Sequence, residues 1–143
     1  MTDLSGRSTR TLAWLGDVEF EREVRYRLAR RGDYPTDRLD TMKTRIVRAE
    51  AQAELLESVL PLLEPDELAV VQRGRNAATT ASARGARRKT EAYRGATALE
   101  ALVAVWCFDE PKGRQRFEEV LGARLEAAVD AALAADARRP KRG

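Results

Sequence analysis

Histidine is absent from the 143 residues of this chain. Without an imidazole, the sequence cannot form a Ser-His-Asp or Cys-His nucleophile, a histidine-ligated metal site or an imidazole general base. The single cysteine, Cys107, excludes a disulfide framework and a zinc ribbon, and it fits a small core residue. Any chemistry must therefore depend on carboxylates, which act most plausibly with a hard divalent cation.

Long apolar runs are also missing. No run approaches the roughly 18 residues that cross a bilayer, and no signal-peptide pattern opens the sequence, so we expect a cytoplasmic protein without membrane contact. Strand signals are missing too, because no stretch shows the β-branched, period-two alternation of a strand. Ala, Leu, Glu and Arg dominate, which predicts an all-α single domain over 1–137, followed by a basic, disordered tail at 138–143.

The net charge of +3 is unevenly distributed. Between Gln72 and Arg94, seven basic residues face a single acid, Glu91. The seven are Arg73, Arg75, Arg84, Arg87, Arg88, Lys89 and Arg94. A basic segment on a mildly acidic body indicates a polyanion-binding site, and a solvated loop is the alternative.

Three helices are predicted in the first half of the chain. The first spans about 8–32, where Gly32 supplies the stop. Thr36 is the expected N-cap of a second helix, which is long and carries an apolar seam until Pro61 ends or bends it. A short helix over about 65–73 comes next.

The second half is predicted to hold a long loop and two helices. Residues 74–95 lack periodicity, and loops of this length inside a compact domain are often functional. A helix over about 96–108 follows, and a break at 109–113 precedes a last amphipathic helix that includes 117–133. The basic end after Ala135 is expected to fray.

Two carboxylates lie beside apolar helix faces. Asp17 shares a face with the apolar stripe of the first helix, and Glu100 shares one with the stripe of the helix over 96–108. An unpaired buried carboxylate is costly, so both a buried ion pair and a metal site are open from spacing alone. Gly16, inside a strong helix, implies the close approach of another backbone or of a ligand.

Several runs, in order, resemble the catalytic domain of the ribonuclease III family. Residues 12–20 (LAWLGDVEF) resemble the signature helix, whose Leu-Gly-Asp core carries a catalytic aspartate, and 97–104 (TALEALVA) resemble the second acidic motif. Residues 45–48 and 52–54 resemble the middle helix, and 73–77 resemble the element that opens the following loop. The resemblance is closest to Mini-ribonuclease III, the short branch without a double-stranded-RNA-binding domain.

The resemblance implies an endoribonuclease that cleaves double-stranded RNA with Mg²⁺, or with Mn²⁺ in its place, and acts as a homodimer. The short branch matures the precursor of large-subunit (23S) ribosomal RNA, which makes a ribosomal protein a further candidate partner. Asp17 and Glu100 would be the catalytic, metal-binding pair, and the products would carry 5′ phosphates. Full-length family members have additional acids where this chain has Arg10, Ala13 and Thr97, so the metal site has fewer carboxylates, as in the short branch.

The resemblance also makes the basic segment an RNA-contacting loop, where phosphate contacts position a duplex without reading its sequence. The predicted contact residues are Arg73, Arg75, Asn76, Arg84, Arg87, Arg88, Lys89, Tyr93 and Arg94. Arg73 or Arg75 capping the preceding helix, and Tyr93 packing in the fold, are the structural alternatives. Trp14 and Trp106 are expected in the core or a dimer interface.

Two other functions compete with this interpretation. One is a catalytically silent protein of the same fold that binds RNA or the ribosome, which the presence of both Asp17 and Glu100 disfavours. The other is an all-α nucleoside-triphosphate pyrophosphatase, which binds Mg²⁺ through Glu-x-x-Glu pairs. The pairs at 54–57 and 64–67 have that spacing, although such pairs are common on helix surfaces.

Overall fold

The computed structural model describes residue 4, residues 6–82 and residues 91–140. These residues contain no strand, which confirms the all-α fold class. None of their helices is long and apolar enough to cross a membrane. The helices are α1 (Thr9–Arg31), α2 (Thr36–Val47), α3 (Ala49–Val59), α4 (Pro65–Ser82), α5 (Glu91–Cys107), α6 (Lys112–Phe117) and α7 (Ala123–Ala137).

Helix α1 has the predicted ends. The Oγ of Ser8 accepts a hydrogen bond from the backbone N–H of Thr11 at 3.2 Å, and Gly32 follows the last helical residue. Phe20, Val24 and Leu28 are fully buried along one face, as their spacing predicts. The helix therefore packs its apolar stripe on the core.

The long second helix is instead two helices. The chain turns at Arg48, whose φ of −62° and ψ of 155° are extended, so α2 and α3 point in different directions. Thr36 is the first helical residue of α2, and Pro35 holds the N-cap position, so the predicted cap is one residue off. Pro61 lies in a 3₁₀ turn (Leu60–Leu62) that ends α3, as expected.

The predicted loop over 74–95 is wrong at both ends. Helix α4 continues through Gly74 to Ser82, and α5 already begins at Glu91. Gly74 does not stop the helix, because it serves a close helix crossing instead. A Cβ on this residue would lie 2.5 Å from the Cα of Ala98. Of the predicted loop, only residues 83–90 lie outside the described residues.

Helix α5 is the central helix of the fold and packs against α1, α3, α4 and α6. Cys107 at its end is a buried core residue, as predicted, and burial raises the pKa of its thiol to about 12. Trp106 is also buried and donates a hydrogen bond from Nε1 to Glu67 at 2.8 Å. Arg116 bonds both carboxylate oxygens of Glu67 at 2.8 Å and holds the pKa of that carboxyl at about 2. Glu67 is therefore a structural acid.

The C-terminal helices are almost continuous. A π-helical turn (Glu118–Gly122) joins α6 to α7, and the preceding break is shorter than predicted, at 108–111. The expected fraying after Ala135 is wrong for the first two residues, because α7 continues to Ala137. Asp136 is buried there and forms an ion pair with Arg38 of α2, which lowers the pKa of Asp136. This contact ties the end of the chain to the body of the domain.

Candidate active site

The site is built on the point where α1 crosses α5. A Cβ on Gly16 would lie 1.7 Å from the carbonyl oxygen of Glu100 and 3.1 Å from its Cα, so only glycine permits this approach. The sequence left another backbone and a ligand as the two explanations for Gly16. The structure shows that the neighbour is the backbone of α5.

This crossing places two carboxylates together. Asp17 follows Gly16 and is exposed, whereas Glu100 is half-buried. Burial, the charge of Asp17 and a hydrogen bond with Asp17 raise the pKa of Glu100 to about 8. Within the described ranges, neither acid forms an ion pair with a basic residue, so the buried-ion-pair explanation does not hold there. The pair therefore has no ion-pair partner among the residues that the structure describes.

Gln52 of α3 is the third polar residue of the site, and its side chain is only 3% exposed. Its amide Nε2 donates to the carbonyl oxygen of Val47 at 2.8 Å and to Oε2 of Glu100 at 3.3 Å. Its Oε1 is buried without a hydrogen-bond donor in the part of the chain that the structure describes. Sequence reasoning placed Gln52 only in the middle-helix motif, because helical spacing within α3 carries no sign of a partner on α5.

An open pocket gives access to the carboxylates from solvent. Helices α1, α4 and α5 form its walls, and its lining residues are Arg10, Ala13, Trp14, Asp17, Ala77, Ala78, Tyr93, Thr97 and Glu100. Trp14 lies at the rim of the pocket and is 72% exposed, so the core position considered for it is wrong for this chain alone. Trp106 is buried, which confirms its predicted core position. The pocket is open and combines charged, polar and apolar side chains, which leaves the two carboxylates accessible to a large substrate.

The donor set fits a hydrated hard cation. Carboxylate oxygens are the ligands that Mg²⁺ and Mn²⁺ prefer, and Mg²⁺ usually retains several waters beside one or two carboxylates. The residues described contain no group of three or more acids, cysteines or histidines that could hold a metal. Asp17 and Glu100 would therefore hold the cation as two ligands only. A cation there would offset their mutual repulsion, and Oε1 of Gln52 is an unused acceptor beside them.

The predicted RNA-contact residues differ in whether they line the pocket, are exposed or form ion pairs. Tyr93 lines the pocket, and Arg73 is exposed on α4. Arg75 does not cap a helix end, since α4 continues past it, and its guanidinium forms an ion pair with Glu57 at 2.8 Å. Arg94 pairs with Glu91 at 2.6 Å.

Of the remaining predicted RNA-contact residues, one lies within the described residues and four lie outside them. Asn76 lies one residue after Arg75 and accepts a hydrogen bond from Gln72 at 3.1 Å. Four members of the basic segment lie outside the described residues: Arg84, Arg87, Arg88 and Lys89. Their role as an RNA-contacting group stays a prediction.

Comparison with known proteins identifies the class. The family model described as "Ribonuclease III domain" matches residues 10–111, a range that contains both Asp17 and Glu100. This chain belongs to the ribonuclease III domain family. The resemblance read from the sequence is thereby confirmed, and the predicted enzyme class, an endoribonuclease, is that of the family.

Three individual relatives within this family are Mini-ribonuclease 3 proteins. The chain is 44% identical over 99 residues to a Mini-ribonuclease 3 of Desulfitobacterium hafniense, covering 67% of this chain and 59% of that protein. It is 44% identical to a Mini-ribonuclease 3 of Brevibacillus brevis over 64% of this chain and 67% of the relative. A Mini-ribonuclease 3 of Synechococcus sp. is 44% identical over 73% of this chain and 72% of its own length.

These findings leave the pyrophosphatase alternative without support. The matched family is a different one. Of the Glu-x-x-Glu pairs, Glu57 is paired with Arg75, and Glu67 is held by Arg116 and Trp106. Neither pair offers two free carboxylates to a cation.

We predict that Gly16→Ala separates the two helices that carry the acids. The added methyl group cannot occupy the space of the Glu100 carbonyl, so α1 and α5 must move apart, at a cost of about 1–3 kcal/mol or more. Chemical denaturation measures the loss of stability. Gly32→Ala is the matched control, since the nearest neighbour there is the side chain of Tyr34. Equal stability of Gly16→Ala and the unchanged protein would contradict the crossing.

Proposed function

We propose that this protein is a divalent-metal-dependent endoribonuclease that cleaves double-stranded RNA. The observation that carries the proposal is the adjacency of Asp17 and Glu100 in an open pocket, in a chain that belongs to the ribonuclease III family. Among the described residues these two acids have no ion-pair partner, so no stabilising role for them is evident there. The pair does provide the ligands that a hard cation needs.

The proposed mechanism depends on these carboxylates because the chain has no histidine. Asp17 and Glu100 would hold the cation, and the open pocket would admit the phosphodiester. When bound, the cation would supply an activated water and stabilisation of charge on the phosphate and the leaving 3′ oxygen. The products would carry 5′ phosphates and 3′ hydroxyls.

For the natural substrate, we propose the precursor of 23S ribosomal RNA. The support is the similarity to Mini-ribonuclease 3 proteins and the resemblance of the sequence to the short branch that trims this precursor. A ribosomal protein that presents the precursor is the proposed accessory partner, and the cytoplasm is the proposed location. Mapping the 5′ ends of a transcribed precursor after incubation with the protein tests the assignment, and uniform cleavage of all duplexes would contradict it.

We predict that Asp17→Asn and Glu100→Gln each abolish cleavage while the helical fold persists. Both changes remove a carboxylate ligand, but the amides are equal in size and relieve repulsion between the acids. Without divalent cations, Glu100→Gln should therefore melt no lower than the unchanged protein. The measurements are gel analysis of a long RNA duplex incubated with Mg²⁺ and circular dichroism during heating.

Glu57→Gln is the matched control for these variants. It removes an exposed acid whose partner is Arg75, well away from the pair, and it should leave cleavage intact. Unfolding of Asp17→Asn and Glu100→Gln would indicate that the acids serve the core. Failure of the unchanged protein to cleave any duplex would favour the catalytically silent alternative.

We further propose a two-fold homodimer that pairs through α1. Trp14, Val18 and Tyr26 are 72%, 64% and 58% exposed on one side of this helix, where Arg22 is the charged residue between Val18 and Tyr26. A two-fold arrangement would present one carboxylate pair to each strand of a duplex, since the strands are themselves related by a pseudo-dyad.

We predict that Tyr26→Glu converts the dimer to a monomer. The change removes an exposed aromatic ring from the proposed interface and places a negative charge there, whereas Leu62→Glu, at an exposed apolar position outside α1, should leave the dimer unchanged. Light scattering at micromolar concentration distinguishes the two masses. A monomeric unchanged protein, with or without RNA, would contradict the proposed arrangement.

We predict that replacing Arg84, Arg87, Arg88 and Lys89 with alanine weakens duplex binding and flattens its dependence on salt. Each phosphate contact contributes about 0.9 to the slope of log affinity against log salt for B-form DNA, and a similar order is expected for RNA. The loss should not depend on RNA sequence. A salt titration of binding in Ca²⁺, followed by single-turnover rates in Mg²⁺, separates binding from hydrolysis.

Lys112→Ala is the control for this experiment, because it removes an exposed positive charge on α6. Its slope should match that of the unchanged protein. An unchanged slope in the fourfold variant would show that the basic segment is a solvated charge run.

A further inference from the structure

The break between α2 and α3 leaves a backbone acceptor free. In a continuous helix, the carbonyl oxygen of Val47 would accept the N–H of Ala51, four residues later. Because the chain is extended at Arg48, the helical hydrogen bonds before and after the break do not use the Val47 carbonyl. Arg48 donates its N–H to Thr44, and Gln52 donates its backbone N–H to Arg48. The Val47 carbonyl therefore needs a different donor.

The side chain of Gln52 provides that donor. Its Nε2 lies 2.8 Å from the Val47 carbonyl oxygen and donates its second N–H to Glu100 at 3.3 Å. The orientation of the amide is defined by this first contact, because a carbonyl oxygen can only accept a hydrogen bond. Gln52 is thus fixed at one side by the backbone of its own segment and at the other by a carboxylate of the candidate active site.

A second close helix contact holds α3 against α5 beside this bridge. A Cβ on Gly95 would lie 2.8 Å from the Cβ of Ala53, the neighbour of Gln52. The side chain of Gln52 is therefore buried between two helices and has little freedom to change rotamer. A donor held this rigidly restricts the orientation of the carboxylate that accepts from it.

We propose that Gln52 is a positioning residue that fixes the Glu100 carboxylate for cation binding, and that the break at Arg48 holds Gln52 in place. The inference rests on the proposed function, since it assigns a role to a neighbour of the proposed metal ligand. Gln52 acts through Glu100 and touches no RNA, because it is buried.

A structural role accounts for only one of the two amide N–H donors. The bond to the Val47 carbonyl satisfies a backbone acceptor that an apolar side chain would leave unpaired. The second N–H is directed at Oε2 of Glu100, and Oε1 is buried without a donor among the described residues. The contact with Glu100 therefore indicates a role at the site in addition to the structural role at the break.

The test is the affinity for Mn²⁺ alone, measured by electron paramagnetic resonance on the folded protein. Gln52→Met keeps the length of the side chain but removes both N–H donors, and it should weaken Mn²⁺ binding about 10–100-fold. Gln52→Leu is the second variant, with a different shape and the same loss of donors. Duplex affinity measured without divalent cations should be unchanged in both variants, as expected for a residue that does not contact RNA.

Val59→Ala is the matched control, because it removes buried apolar volume from the same helix without contacting Glu100. It should lower the melting temperature and leave Mn²⁺ affinity unchanged. Asp17→Asn should abolish Mn²⁺ binding at this site, so it shows which of the measured Mn²⁺ signals comes from the site.

Several results would overturn the proposal. Unaltered Mn²⁺ affinity in the Gln52 variants, or an equal loss in Val59→Ala, would show that Gln52 serves packing only, and cleavage by the unchanged protein would leave the proposed function standing. If the unchanged protein neither binds Mn²⁺ at Asp17 nor cleaves duplex RNA, the proposed function fails together with the role of Gln52.

Discussion

The contact between Gly16 and the backbone of Glu100 is the constraint on which the candidate site depends. It brings α1 so close to α5 that no other residue type fits at position 16. Asp17 follows this glycine directly, and Glu100 is itself the contact residue on α5. The spacing of the two acids is therefore set by backbone packing, which is stiffer than side-chain packing and keeps the carboxylates together before a ligand arrives.

Asp17 and Glu100 differ from the buried acids of the fold in their ion pairing. Glu67 is held by Arg116, Asp136 by Arg38, and Glu23 by Arg27, so these carboxylates are neutralised where they leave solvent. Asp17 and Glu100 have no such arginine in the described residues, and the pKa of Glu100 rises to about 8 as a result of burial and repulsion. The fold thus supplies a base to each of the buried acids, and among the described residues it supplies none to this pair.

Local signals in the sequence were sufficient for some elements and misleading for others. Caps and apolar spacing correctly predicted α1, and a glycine inside a strong helix correctly indicated a close contact at Gly16. Gly74 was interpreted as a loop residue because a glycine that permits helix crossing looks the same in sequence as one that ends a helix. The break at Arg48 has no glycine or proline beside it in the sequence, and the Val47 carbonyl at the break is bonded by the side chain of Gln52. Side-chain contacts of this kind leave no periodic pattern in the sequence from which they could be predicted.

The central claim is that Asp17 and Glu100 together hold a divalent cation. Diffraction from crystals grown with Mn²⁺, recorded at the manganese absorption edge, tests it most directly because the anomalous signal distinguishes manganese from other atoms. The account predicts an anomalous peak within coordinating distance of a carboxylate oxygen from each residue. A peak at another position, or an arginine side chain between the two acids in protein that still cleaves duplex RNA, would contradict it.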